Sequence, residues 1–310
     1  MSLPRDPHPS SRLFHLPGVR VGHYTHPSGA TGCTAIVLER QRPASFHVGG
    51  GAPGTQETDL LRPGMLVGAV DAIMLSGGSA FGLDTAGGAR RYLAERGRGF
   101  NAGGYHVPIV PAAVIFDLPV SGGRILPGVE DGYQACLASE NPVPAEGKVG
   151  AGAGATVGKY MGREKSSPGG LASRSITVDQ VTLGALVVAN CFGSVWDPET
   201  NEMAAGPRNE KGEAVKYLDA ASPAPAFGNT ALGVVVTDAL LDPAGAQRVA
   251  MMAHDGWARC VRPSHTPYDG DVIFVISAGD RKMEPARLGA LAAWMIERVT
   301  LAAARGGDSG

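Results

Sequence analysis

The tripeptide Gly228-Asn229-Thr230 stands where a polar connection ends and an apolar run begins, in ASPAPAFGNTALGVVVTDA (221–239). By residue type alone this is a turn in which Asn229 takes a left-handed conformation and Thr230 opens a strand. The same threonine is a candidate nucleophile if the Asn229–Thr230 bond breaks, because a new N-terminus carries its own base. The α-amine can take the proton from Oγ. Its reference pKa of about 7.7–8.0 leaves a useful fraction unprotonated near neutrality, where a lysine would need a large shift. β-Branching restricts χ1 and helps hold Oγ towards both the amine and a substrate carbonyl.

Four further positions carry chemistry-capable side chains. Asp269 and Asp271, in YDGD, are two residues apart, so an extended backbone points both to one side. They serve equally well as caps of a turn before the strand at 271–277. Asn190 ends an apolar run, where a buried amide N–H₂ is costly unless it is used. Lys159 closes the glycine run GAGAGATVGK (150–159) and reads either as an ordinary solvated lysine or as part of a site.

Other signals weigh less. GAGAGATVGK is not a phosphate loop, since Ala153 and Tyr160 occupy positions that need Gly and Ser or Thr. Gly150, Gly152 and Ala155 make a loose dinucleotide fingerprint, but no strand precedes them, and a backbone nest lining a pocket is the better reading. His23, His26, His106, His254 and His265 show no ligand spacing such as HExxH, so no metal is expected. His265 could join Ser264 or Ser277 in a conventional triad, yet neither serine lies in a GxSxG elbow. Met251, Met252 and Met295 read as core filling.

The elements that must position these residues follow from periodicity. Residues 32–38 and 44–48 read as strands joined by a turn at Glu39 to Pro43, and the glycine-rich stretch from 49 as a loop. A buried strand at 70–75 leads through a glycine turn into a helix capped by Ser79 and ending at Gly97. A short strand lies within 107–118, a helix at 130–139 and a strongly apolar strand at 181–190. From Asp197 to Gly228 the chain is polar and without period, which predicts a long exposed connection. Then come a strand at 232–239, a helix carrying Val249, Met252, Ala253, Trp257 and Cys260 on one face, a strand at 271–277 and a final helix from about Glu284 to Ala304. The tail from Arg305 should fray. No regular βαβ alternation appears, which predicts two mixed sheets sandwiched between helices.

Bulk properties limit the partners. The 310 residues are 44% hydrophobic, enough for a large core, and 27 basic against 29 acidic side chains leave a net charge of −2. Such a surface has no broad field for nucleic acid or an anionic membrane, and a small, roughly neutral substrate fits better. Cys33, Cys136, Cys191 and Cys260 form no CxxC pair and read as buried thiols of a cytoplasmic protein. No stretch approaches the roughly 20 apolar residues that span a bilayer, and the N-terminus has no uninterrupted apolar signal region.

With GVRVGHYTH (18–26), GGGAPGTQETDLLRPG (49–64), DAIMLSGGSAFGLD (71–84), VPIVPAAVIFDL (107–118), GAGAGATVGK, ALVVANCFG (185–193), FGNT (227–230) and HTPYDGDVIFVIS (265–277), the chain resembles the L-aminopeptidase/D-esterase family, peptidase family S58. That family includes β-peptidyl aminopeptidases and the nylon-oligomer (6-aminohexanoate oligomer) hydrolases. The resemblance implies an α+β fold, an αββα sandwich of the N-terminal-nucleophile (Ntn) hydrolase kind shared with ornithine acetyltransferases. It implies a single catalytic domain over 1–310 that cuts itself into 1–229 and 230–310, with Thr230 as nucleophile. It implies no cofactor, a small amide or peptide substrate, and a tetramer of cleaved heterodimers.

Residue by residue, the resemblance gives Asp269 and Asp271 the role of orienting the Thr230 amine and hydroxyl, and Asn190 that of oxyanion donor. Lys159 takes the family's active-site lysine, a slip of two residues placing Met161 there instead. Phe116 stands where the family tends to have a tyrosine, which removes one hydroxyl donor. The aspartate pair tilts the reading towards the nylon-oligomer type. α- or β-Aminopeptidase, acyltransferase and uncleaved ligand-binding protein are the alternatives.

Overall fold

The computed structural model describes residues 16–143, 145–220 and 228–306. Its main elements are β1 (Val19–Thr25), β2 (Gly32–Val48), β3 (Ala69–Ser76), α1 (Thr85–Ala94), β4 (Ala112–Val114), α2 (Val129–Ala138), β5 (Gly170–Val178), β6 (Val181–Asn190), β7 (Ser194–Asp197), β8 (Glu202–Ala205), β9 (Thr230–Ala239), α3 (Pro243–Cys260), β10 (Val272–Arg281) and α4 (Pro285–Arg305).

Among the described residues one path of hydrogen-bonded strands runs β5-β6-β9-β10-β2-β3-β4 and ends on Thr55–Gln56, with β1 also on β2. β9 lies parallel to β10 and β3 parallel to β4, while β6–β9 and β2–β3 are antiparallel. The long β2 joins two sheets. Its first half, Cys33 to Val37, pairs with β1 and β3, and its second half, Ala44 to Val48, pairs with β10.

Alternation of side chains sorts the apolar residues into three cores. Ile36, Leu38, Ile73, Leu75, Leu186, Val188, Leu232, Val234 and Phe274 fill the space between the two sheets. Residues of the opposite parity, among them Leu183, Ala185, Val187, Val235, Ile273 and Val275, face α3 and α4. Cys33, Ala35, Val37, Ala72 and Met74 face α1 and α2. Helix, sheet, sheet, helix is the result, the αββα sandwich expected from the sequence.

The α3–α4 layer is held by the features its sequence advertises. Asp242 caps α3 by accepting from Gly245 N at 2.7 Å, and Pro243 occupies the first turn. Gly256 lets the helices approach closely, since a Cβ there would sit 2.2 Å from Ala293 O. Trp257 is fully buried and its Nε1 donates to Thr300 Oγ1 at 3.0 Å. Trp257→Ala would cost about 3–5 kcal/mol through the cavity it leaves.

Four expectations need correction. Residues 39–43 are not a turn: β2 runs on through them, its register against β3 shifting between Val37 and Arg42 where exposed Glu39 and Arg40 break the apolar alternation. Ser79 does not cap a helix but opens a 3₁₀ turn, Ser79–Asp84, with φ +54, and α1 begins only at Thr85 and ends at Ala94, three residues before Gly97. The stretch 197–220 is not all exposed connection, because β8 pairs with β7 and buries Met203 and Ala205, the latter within the α3–α4 core. At the head of β9 the left-handed residue is Gly228, φ +83, and not Asn229. The rest of the connection, 221–227, and the tail at 307–310 lie outside the described residues.

All four cysteines are buried free thiols. No helix among the described residues is long and apolar enough to cross a membrane.

Candidate active site

β9 begins at Thr230, and the alternation that sends Leu232, Val234 and Val236 into the inter-sheet core puts Thr230 on the same face, at its end. Asn190 ends the neighbouring β6 and pairs directly with Thr230 in the β6–β9 register. Side chains of such a pair lie within about 5.5 Å at Cβ. Both are buried, Asn190 fully and Thr230 at 4% exposure.

Lys159 settles how Asn190 is turned. Its Nζ donates to Asn190 Oδ1 at 2.9 Å and to Asn190 O at 2.7 Å, and Thr156 N donates to the same Oδ1 at 3.0 Å. Exchanging the amide O and N would set N–H₂ against two donors, so the orientation is determined by the network. Nδ2 is thereby turned away, buried and without a partner among the described residues. A buried donor left unmade is costly, and one beside a candidate nucleophile is an obvious place for a developing oxyanion. Burial pushes the Lys159 ammonium down to about 7. Lys159 is fully buried against Asn190, whereas Met161 is only half-buried. The glycine run serves this arrangement through its backbone, for Gly158 N and Lys159 N also donate to Gly193 O and Phe192 O.

The segment 268–271 clamps the Asn229–Thr230 bond as a short parallel extension of β10. Asn229 N donates to Tyr268 O at 3.3 Å and Gly270 N to Asn229 O at 2.8 Å. Thr230 Oγ1 lies 2.5 Å from the same carbonyl oxygen. Gly270 must lack a side chain, since a Cβ would stand 2.7 Å from Thr230 Oγ1 and from Ala52 O. On the other side Phe116 packs its ring on Gly228, where a Cβ would come within 2.2 Å of it.

Asp269 and Asp271 flank this clamp with different partners. Asp269 accepts from Phe192 N at 3.0 Å, Thr266 N at 3.0 Å and Thr266 Oγ1 at 2.5 Å. Burial, then the charge of Asp271, push its carboxyl up to about 6. Asp271 accepts from Ala231 N at 2.7 Å through Oδ1 and, through Oδ2, from His265 N at 3.2 Å and Nδ1 at 2.7 Å. Of the two carboxylates only Asp271 reaches a backbone neighbour of the threonine, the Ala231 amide, while that of Asp269 is taken up by Phe192 and Thr266. Ser277 is no triad partner for His265, as its Oγ bonds Leu241 N and Ala239 O at the far end of β9. His265, weighed in the sequence as a member of a serine triad, instead bonds Asp271 six residues on in HTPYDGD.

Beyond Phe192, whose ring meets Tyr217 and Tyr268 at 5.8 and 5.7 Å, a cavity of about 570 Å³ is lined by Trp196, Tyr217, Leu218, Arg262 and Pro263.

Four layers with a buried threonine heading an inner strand define an Ntn-hydrolase-like fold, and solved structures agree. A β-aminopeptidase of Burkholderia sp. superposes with a TM-score of 0.67 at 21% identity, covering 93% of this chain and 84% of that one. The L-aminopeptidase D-Ala-esterase/amidase of Ochrobactrum anthropi, described as a variant of the Ntn hydrolase fold, gives 0.67 at 18% identity with the same coverage. The family model of peptidase family S58 matches residues 12–307, and the chain belongs to that family. An uncharacterized aminopeptidase of Mycobacterium bovis is 41% identical over 290 residues, covering 86% of this chain and 81% of the relative. A 6-aminohexanoate-oligomer endohydrolase of Kocuria sp. is 28% identical over 282 residues, covering 86% and 75%. The protein is a hydrolase of amide bonds.

Proposed function

We propose that the chain cuts itself at Asn229–Thr230 and then hydrolyses small amides with Thr230 as nucleophile. In maturation Thr230 Oγ adds to the Asn229 carbonyl, the C–N bond breaks as the α-amine leaves with the proton, and water hydrolyses the resulting ester. Asn229 keeps a carboxylate and Thr230 gains a free amine and hydroxyl. Gly270 N–H, already on the Asn229 carbonyl at 2.8 Å, supports the oxyanion of this first reaction. In turnover the amine serves as base, a substrate carbonyl replaces that of Asn229, and Asn190 Nδ2 receives the oxyanion. Lys159 acts through Asn190 by keeping its Oδ1 occupied.

The observation that carries this reading is the buried, unpartnered Nδ2 of Asn190 directly across the strand pair from Thr230. Substrates are small peptides or ω-amino-acid oligomers, and the 41% identity to an aminopeptidase, against 28% to an oligomer endohydrolase, favours amino-terminal peptide amides. The test compares wild type, Thr230→Ala and Thr230→Ser on amino-acyl anilides and on 6-aminohexanoate oligomers. Thr230→Ser should mature and turn over, whereas undiminished hydrolysis by Thr230→Ala would remove the nucleophile from the scheme.

A further inference from the structure

Hydrogen bonding around His265 dictates its charge. His254 Nε2 lies 3.0 Å from the carbonyl oxygen of His47, and a carbonyl only accepts, so this nitrogen carries a proton. Burial, then the neighbouring His265, push the His254 imidazole down to about 3, leaving it neutral with Nδ1 as an acceptor. His265 Nε2, 3.3 Å from that Nδ1, must therefore donate. On its other side His265 Nδ1 lies 2.7 Å from Asp271 Oδ2. Asp271 already accepts from two backbone amides, Ala231 N and His265 N, as an ionised carboxylate does. Nδ1 donates as well, and an imidazole that donates from both nitrogens is an imidazolium.

The local backbone is built for this contact. His265 has φ +54, a left-handed conformation uncommon in residues other than glycine, and it directs both the amide and the ring to one carboxylate oxygen. Gly49 leaves room for the histidine pair, since a Cβ there would stand 2.6 Å from His254 Nδ1 and 3.0 Å from His265 Nδ1. The titratable groups facing His265 are Asp271 and Asp269 from its own segment, His254 from α3 and His47 from β2. Burial alone would lower its pKa, but the bond and charge of Asp271 outweigh it and the net shift is upward.

We propose that His265 is a positioning residue of the hydrolase: as an imidazolium it neutralises Asp271 and holds that carboxylate on the Ala231 amide, which fixes Thr230 and leaves Asp269 as the acid whose charge the Thr230 amine feels. The effect on Thr230 rests on its being the nucleophile; the charge of His265 does not.

Nuclear magnetic resonance of the mature protein labelled with ¹⁵N-histidine, assigned with His265→Gln, reads the charge directly. At pH 7 both ring nitrogens of His265 should be protonated and His254 should carry a proton on Nε2 alone. In the kinetics, His265→Gln should lower kcat by about 10²-fold with KM nearly unchanged, because a misaligned nucleophile loses rate before binding. Removing a positive charge leaves Asp271 uncompensated, raises the Thr230 amine pKa and moves the acid limb of kcat to higher pH. A His265 that is singly protonated at pH 7, or a His265→Gln enzyme with the wild-type pH profile, overturns the proposal. Turnover by Thr230→Ala would overturn the nucleophile reading separately, with the resonance result on His265 unaffected.

Discussion

β9 carries a buried threonine near each end, and their surroundings differ in one respect. Thr237 Oγ1 donates to Thr182 O at 3.0 Å and accepts from Ala239 N at 3.1 Å, while Ser277 Oγ beside it bonds Ala239 O and Leu241 N. These hydroxyls join strands and have their partners. At the other end Thr230 Oγ1 meets the carbonyl oxygen of the peptide bond it would cut, opposite an asparagine amide that has no acceptor among the described residues. Two threonines of one strand, both hidden, are thus a structural tie and the candidate nucleophile of the proposed reaction. What separates them is whether the polar groups around each are satisfied by the fold itself.

The sharpest break of that comparison is Thr230→Ala, which should leave the chain whole and lower turnover by at least about 10³-fold. Asn190→Ala should follow, lowering kcat by about 10²–10³-fold, the usual loss on removing one oxyanion donor. Asp269→Ala should slow maturation and reduce the height of the rate profile. It should also move the acid limb to lower pH, since an anion near the amine favours its charged form. Rate profiles from pH 5 to 9 check both limb and height. Thr237→Ala should mature and turn over normally yet lose about 1–2 kcal/mol in urea unfolding, and a catalytic defect there would erase the distinction.

The smallest effect concerns stability. Buried Lys159 has a folded pKa of about 7 and so is depressed from its unfolded value of about 10.4. Between these the unfolded chain binds more protons, and Lys159 makes stability rise with pH from about 7 to 10. Thermal unfolding of Lys159→Met over that range should show a shallower rise, and an identical slope would place the lysine in water.

The sequence reveals elements whose faces are both buried or regularly alternate. β6 matches the expected 181–190, and α3 and α4 lie where apolar spacing puts them. β2 reads as two strands because Glu39, Arg40 and Arg42 lie where it passes between sheets, and polarity there mimics a turn. Thr230, Asn190, Lys159, Asp269 and Asp271 do converge, though from loops and strand ends far apart in the chain. The His47, His254 and His265 cluster is not legible, since three elements bring it together only on folding. Gly49 and Gly270 are the faint signals of this region, glycines kept where a side chain would strike a ring or the threonine hydroxyl.

The intact mass of freshly purified protein, followed over time with N-terminal sequencing, tests the central claim most directly. Two associated pieces should appear, one of them residues 230–310 beginning at Thr230. An active preparation that retains a single full-length mass would contradict it.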